Sequence, residues 1–510
     1  MLSAAAANFK YSFEMINLPD QNPEGFFMSK FYYAILSLYL ILAPYLRLPG
    51  LRFHDSQRIL QLVVFGLITL GLLYQWYVPG RGKSKISLNL SYNSPSFLFL
   101  SGIFIAGFVS VVLSEFFKYA LLEYAFTFWI ILLFILLSPT NQRNLYRLGI
   151  SIFVTATLFS SLYIIIFIGN YITSYMDPMV ILWPDKITYS ITFGETTLTG
   201  KDVLYFSNKR FFNHTQSWTF PILFSIIIFF KNKLKGWLKV EVITLFLLAS
   251  IWWVLVFASG GRGTLVAIFA SGVMVIFIFK NEAIEFFKVT ILTFLTGLAG
   301  YLILFIYLPS TREAPLLRFT DSNRLDLWQK GLEMWVDNPV FGVGPMHYSV
   351  MGNTPGAAHP HNYLIQFLAE WGIISFIFLT GIMILFAQSS LKIRNSNRYL
   401  QSRSIVVIGM YGSLFAALLH SLVSGVMHTP LSQVWFILIT AWVLAWNKKQ
   451  QKVRYNKYLL CLLLLAFFVT ILILTVPIID ELSAGYFEYI QSFPESRLWP
   501  RFWDQGIIPL

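Results

Sequence analysis

The stretch LKVEVITLFLLASIWWVLVFASGGRGTLVAIFASGVMVIFIFK, residues 238–280, decides the fold. It holds two apolar runs, 238–258 and 264–280, separated only by Ser259-Gly260-Gly261-Arg262-Gly263. Each run is about the length a helix needs to cross a bilayer's hydrocarbon core, roughly 17–25 residues. The turn between them leaves no room for a soluble domain. The same pattern recurs along the chain and predicts thirteen spans, at 31–48, 59–78, 96–114, 118–137, 148–172, 218–230, 238–258, 264–280, 286–308, 363–390, 404–424, 431–447 and 456–478. The sixth is short. Composition agrees: 56% of the 510 residues are hydrophobic and 12% charged, half the charge of a soluble domain, and the mean hydropathy is +0.65. The expected architecture is an all-α, polytopic transmembrane bundle of about 12–13 spans, with amphipathic helices in an outside loop. No cleavable signal peptide is evident near Met1.

Lys and Arg set the orientation. With the N-terminus inside, the inner loops hold Arg81, Lys83 and Lys85; Arg143 and Arg147; Lys231, Lys233, Lys235 and Lys239; Lys392, Arg394, Arg398 and Arg403; and Lys448 to Lys457. Roughly 22 basic and 6 acidic residues then lie inside, against roughly 15 and 18 outside, so the positive-inside bias accounts for the net charge of +13. A nucleic-acid partner has no motive left. Cys461 is the sole cysteine, which excludes intrachain disulfides and a cysteine-based metal site. The chain divides into N-terminal spans with an outside loop 173–217 (residues 1–217), a core with a large outside loop 309–362 (218–447), and a last span with an outside tail (448–510).

All seven histidines fall outside or at outer span ends. In His359-Pro360-His361-Asn362-Tyr363, His361 enters the N-terminus of an outer-leaflet helix, where the dipole disfavours a second positive charge. The imidazole should stay neutral and able to accept a proton. Asn362, Gln366 and Glu370 follow at helical spacing as a polar stripe running into the membrane. A carboxylate at that depth is costly unless it is paired or lines a wet cavity. The plain alternative is a histidine cap over a polar packing seam. Arg262, hemmed by glycines that expose backbone amides, suits a phosphate oxygen, although a headgroup-snorkelling arginine has the same pattern. Residues 321–339 read as an amphipathic helix on the outer membrane surface, with Leu325, Trp328, Leu332 and Trp335 on one face. Asp321 or Ser322 can cap it, and Pro339 ends it. Arg324 then sits in its first turn, a poor place for a cation unless an anion is near. Lys209, Arg210, His214 and Gln216 come to the outer end of the sixth span, where an interfacial anchor is the simpler reading. His420 and His428 flank another outside turn. Several guanidiniums with one neutral base fit a pyrophosphate leaving group on a lipid-borne donor. His359 and His361 alone do not make a zinc site.

Taken in order, Gly260-Gly261-Arg262-Gly263, Arg324-Leu325-Asp326-Leu327-Trp328, Asn338-Pro339-Val340-Phe341-Gly342-Val343-Gly344-Pro345 and His361-Asn362 with Gly372 resemble the O-antigen ligase and O-antigen polymerase superfamily over about residues 240–440. The resemblance implies a metal-independent glycosyltransferase of the GT-C type without cofactor. Such an enzyme sits in the bacterial inner membrane with a periplasmic active site and takes a glycan from undecaprenyl pyrophosphate. It implies His361 as the essential histidine, with Arg262 and Arg324 as catalytic arginines and Arg210 at an upstream basic position. Lys209, His359, Asn362, Gln366, Glu370 and His420 are candidate substrate-binding residues. The expected acceptor is lipid A–core, then a periplasmic protein such as a pilin, then the growing glycan. Ser375 departs from the usual Gly, Thr or Tyr at the motif's end. Thirteen spans and an outer tail depart from the common twelve. A flippase or transporter is the alternative of a different class.

Overall fold

In a computed structural model, residues 23–49, 51, 53–77, 85–88, 94–139, 141–176, 206, 209–307, 324–349, 357–394, 404–447, 453–492 and 502–503 are described. Thirteen helices correspond one to one with the predicted spans: α1 (Pro23–Leu42), α2 (Phe53–Tyr77), α3 (Pro95–Leu113), α4 (Phe117–Leu137), α5 (Gln142–Met176), α6 (Lys209–Leu234), α7 (Val240–Ser259), α8 (Arg262–Phe279), α9 (Ile284–Leu302), α11 (Tyr363–Arg394), α12 (Ser404–His420), α13 (Pro430–Asn447) and α14 (Lys457–Ser492). The surface helix α10 (Arg324–Asp337) lies between α9 and α11. Among the described residues nine stretches are long and apolar enough to cross a membrane, the one at Arg262–Phe305 containing both α8 and α9. Residues Phe31–Leu42 and Ile405–His420 form shorter apolar helices. Large apolar side chains at Leu247, Val273, Phe277, Leu295, Ile377, Leu462 and Ile473 are exposed, as lipid-facing positions require. This is an all-α, multi-pass membrane protein.

Three details differ from the sequence expectation. The sixth span is not a short helix at 218–230 behind a loop ending at 217. α6 begins at Lys209, and Asn213, His214, Thr215, Gln216 and Ser217 are helical and buried. Its outer half is polar because it faces protein on every side, chiefly α12, α7 and α5, so hydropathy understates it. Second, β1 (Lys85–Leu88) pairs antiparallel with β2 (Val453–Asn456), Lys85 opposite Asn456, a two-stranded ribbon no apolar pattern announced. It ties two basic segments at one end of the bundle. Third, α14 runs on to Ser492, past the predicted end at 478.

α11 is broken at Gly372, where φ is 71° and ψ 176°. The segment 339–344 lies across the break. The Val343 and Gly344 N–H groups donate to the Ala369 and Glu370 carbonyls at 3.0 Å, and Ile373 N–H donates to Pro339 O at 2.9 Å. The opened helix turn therefore recovers its backbone hydrogen bonds from the loop, which membrane depth demands. Leu327, Gly331 and Met334 turn α10 inward onto this unit, and the Tyr348 hydroxyl donates to Leu327 O at 2.7 Å. Leu325, Leu332 and Val336 stay exposed, in keeping with a helix lying at a membrane surface. The predicted caps Asp321 and Ser322 lie outside the described residues.

Candidate active site

Three helix N-termini meet at the end of the bundle opposite the ribbon, and each brings a basic residue in its first turn. α6 starts with Lys209 and Arg210, α8 with Arg262 and α10 with Arg324. All four line one cavity of ≈ 80 Å³, together with Asn213, Ser259, Gly260, Gly261, His420 and Ser424. A helix N-terminus already carries about half a positive charge. Side-chain cations placed there three times over add to that positive end, and the combination favours an anion.

The glycine turn is shaped by its neighbours. Gly260 closes α7 at φ 66°, a left-handed cap. The Asn213 amide packs on Gly261, where an added Cβ would come within 2.8 Å of Nδ2. At Gly263 the His420 Nε2 would be 2.7 Å away. Ser259 Oγ donates to Asn213 Oδ1 at 2.8 Å, and Thr264 Oγ1 donates to Asn213 O at 3.2 Å. Asn213 is thus the brace that holds the α7–α8 turn against α6. The sequence singled out neither Asn213 nor Ser424. A polar run on the buried face of α6 was the available signal.

His361 joins this wall through Arg210, whose Nη1 lies 3.3 Å from His361 Nε2. A guanidinium only donates, so Nε2 is the accepting nitrogen and the neutral ring carries its proton on Nδ1. That Nδ1 is buried without a hydrogen-bond partner among the described residues. His361 itself sits at φ 56°. Its backbone N–H donates to His359 Nδ1 at 3.1 Å, and the two rings meet edge-on at 4.3 Å. Burial, then His359, Arg210, Arg324 and His214, hold the His361 imidazolium well below the usual histidine range. Burial and neighbouring cations thus favour the neutral ring, a cause different from the helix-end dipole named from sequence.

Asn362, Gln366 and Glu370 stand apart from the cavity wall. Asn362 Oδ1 caps α11, accepting from Leu364 and Ile365 N–H at 3.0 and 3.2 Å. Gln366 accepts from His428 Nε2 at 2.8 Å and donates to Glu370 Oε2 at 3.2 Å. The fully buried Glu370 accepts from Tyr348 N–H at 2.9 Å. The described partners of this stripe are protein groups that fix the loop carrying α10 to α11. His420 does line the cavity, its Nδ1 2.7 Å from Ser217 Oγ.

A pH prediction follows from this electrostatics. Because Arg210 helps to depress the His361 pKa, Arg210→Ala raises it, and protonation then inactivates a base at higher pH. The acid limb of the kcat/KM profile, which reports the free enzyme, should move upward. An unmoved or lower limb would contradict the Arg210–His361 contact.

Comparison with known proteins bears on this end of the bundle. Residues 243–380 match the family model described as O-Antigen ligase. The chain is also similar to "Teichuronic acid biosynthesis protein TuaE" of Bacillus subtilis (strain 168), 26% identical over 280 residues. That alignment covers 51% of this chain and 55% of the relative, so the chain spans about half the length of the curated relative it matches. The matched segment runs from α7 into α11 and contains Arg262, Arg324, His361 and Gly372. In this segment the chain is similar to the O-antigen ligase family.

Proposed function

We propose that the protein is a membrane glycosyltransferase that moves a glycan from undecaprenyl pyrophosphate to an acceptor hydroxyl on the periplasmic face. The observation that carries this reading is the meeting of three helix N-termini, each with its own basic residue, beside a neutral buried imidazole. The donor's pyrophosphate draws Arg210, Arg262 and Arg324, and Arg210 leaves His361 Nε2 for a phosphate oxygen. The freed Nε2 takes the proton of the acceptor hydroxyl as its oxygen attacks the anomeric carbon. The new C–O bond forms while the bond to the pyrophosphate oxygen breaks. The lipid pyrophosphate leaves with the electron pair, and the arginines absorb its charge. Cationic side chains do here what a divalent ion does in other sites, so the reading is metal-independent and of the GT-C type. Lys209 and His420 complete the anion contacts. His359, Asn362, Gln366 and Glu370 hold the substrate-facing loop in place.

The donor chemistry is common to three acceptors. Lipid A–core, which makes the protein an O-antigen ligase, is the first reading, and a protein hydroxyl the second. The relative's printed role in teichuronic acid biosynthesis supports glycan assembly more broadly, including polymerisation. Proteoliposomes given a lipid-pyrophosphate glycan and one acceptor at a time separate these: glycosylated lipid A–core, glycosylated protein or a lengthened lipid-linked chain. Movement of the lipid-linked glycan across the bilayer with no new glycosidic bond would make the protein a transporter instead.

A further inference from the structure

Arg58 is buried to 1% exposure in the first turns of α2, far in sequence from the matched segment, and no part of the transfer step above uses it. Its guanidinium reaches three separate parts of the chain. Nε donates to Phe502 O at 3.0 Å, Nη2 donates to His428 O at 2.6 Å, and Nη1 donates to both Gln61 Oε1 and Gln433 Oε1. The same group lies over the rings of Phe126 and Phe502, 5.1 and 4.9 Å from their centroids. A guanidinium with this many bonds is costly to disturb, because losing one partner leaves buried charge and buried carbonyls without a substitute.

The 421–429 turn, which Arg58 grips at His428 O, leads straight to the proposed base. His428 Nε2 bonds Gln366 Oε1, and its ring lies 4.9 Å from that of His359, which in turn accepts from the His361 N–H. We propose that Arg58 is a positioning residue of the transfer site: it locks the C-terminal segment at Phe502 to the turn that carries His428, and thereby sets the His359–His361 pair against Arg210. This rests on the transfer reading for its rate effects, while the position of His428 is testable without any activity. The ring of Phe502 is the second half of the lock, so Phe502 is a working part of the site.

The test uses full-length protein in detergent or proteoliposomes, with rates normalised to monodisperse folded protein. Arg58→Lys keeps the charge but cannot bridge the four acceptors with a planar fork. Phe502→Ala keeps the carbonyl and removes one ring. Both should lower kcat about 10-fold or more with the donor KM little changed, since the arginine cavity is untouched. The double variants with His428→Ala should be no slower than His428→Ala alone, as expected for groups acting through one path. Independently of turnover, diethyl pyrocarbonate should label His428 several-fold faster in both variants, read by peptide mass spectrometry. Multiplicative rate losses with His428→Ala, or unchanged His428 labelling, would overturn the proposal. Unchanged transfer by a His361 variant would instead overturn the functional reading and leave the labelling result standing.

Discussion

On the proposed transfer mechanism, replacing His361 with alanine or asparagine should lower glycan transfer by a factor on the order of 10²–10⁴, the range a positioned general base contributes. The two variants answer different objections. His361 is held at φ 56°, a left-handed conformation that costs most side chains about 1 kcal/mol or more and that asparagine tolerates better. Asparagine therefore keeps the backbone of the loop, and alanine tests the side chain outright. Neither can take a proton near pH 7. If the reading is right, both lose kcat while donor binding persists, because Arg210, Arg262 and Arg324 still line the cavity. Inorganic pyrophosphate or a short-chain lipid pyrophosphate, titrated by calorimetry, checks that binding. Binding should even tighten slightly, since Arg210 no longer has to give up its contact with Nε2. A His361→Asn protein with wild-type turnover would remove the base from the mechanism. Loss of donor affinity with kcat intact would make His361 a binding group instead.

Much of the architecture was legible because lipid imposes a length and a polarity on each crossing helix. The thirteen predicted spans and α10 all have their helix. Legibility failed where protein replaced lipid around a helix. The outer half of α6 is polar and fully enclosed, so a hydropathy reading ended the span at Trp218, nine residues late. The ribbon between β1 and β2 joins residues 85 and 456, a pairing with no local signature. In the candidate site, Arg324 and His361 were named from helix-end electrostatics, because a first-turn cation or imidazole is out of place without an anion, and Arg262 from its glycine-hemmed turn. The same rule covered Lys209 and Arg210 only once α6 was known to begin there. Arg58 was not readable: its partners Phe502 and Gln433 are 444 and 375 residues away, and at the start of a span it looks like any interfacial arginine. Gln366 and Glu370 looked like substrate ligands by depth, and their carbonyl and carboxylate oxygens are occupied by His428 and by Tyr348 N–H.

Gly372→Ala should be among the most damaging single-methyl changes at the described glycines. At φ 71° and ψ 176° the backbone lies in a region essentially reserved for glycine, which costs another residue about 1–3 kcal/mol. The added Cβ would also stand 2.4 Å from Phe341 C and Val340 O and 2.5 Å from Gly342 N. These are backbone atoms of the 339–344 segment, so no side chain can swing away. That segment must shift, and with it the bonds from Val343 and Gly344 to the Ala369 and Glu370 carbonyls. The loss should exceed the strain alone and appear as a lower midpoint of thermal unfolding in detergent. Its functional consequence follows from what lies on either side. α10 with Arg324 precedes the segment, and α11 with His361 is the helix it crosses, so a displaced segment moves an arginine relative to the base. Whatever protein still folds should therefore transfer slowly. Gly169→Ala is the matched control, since nothing lies within 4 Å of its added Cβ in α5. It should leave the midpoint unchanged or slightly raised, by up to about 1 kcal/mol, because alanine suits a helix interior better. Equal melting and equal transfer in the two variants would mean that the break in α11 does not hold α10 to the site.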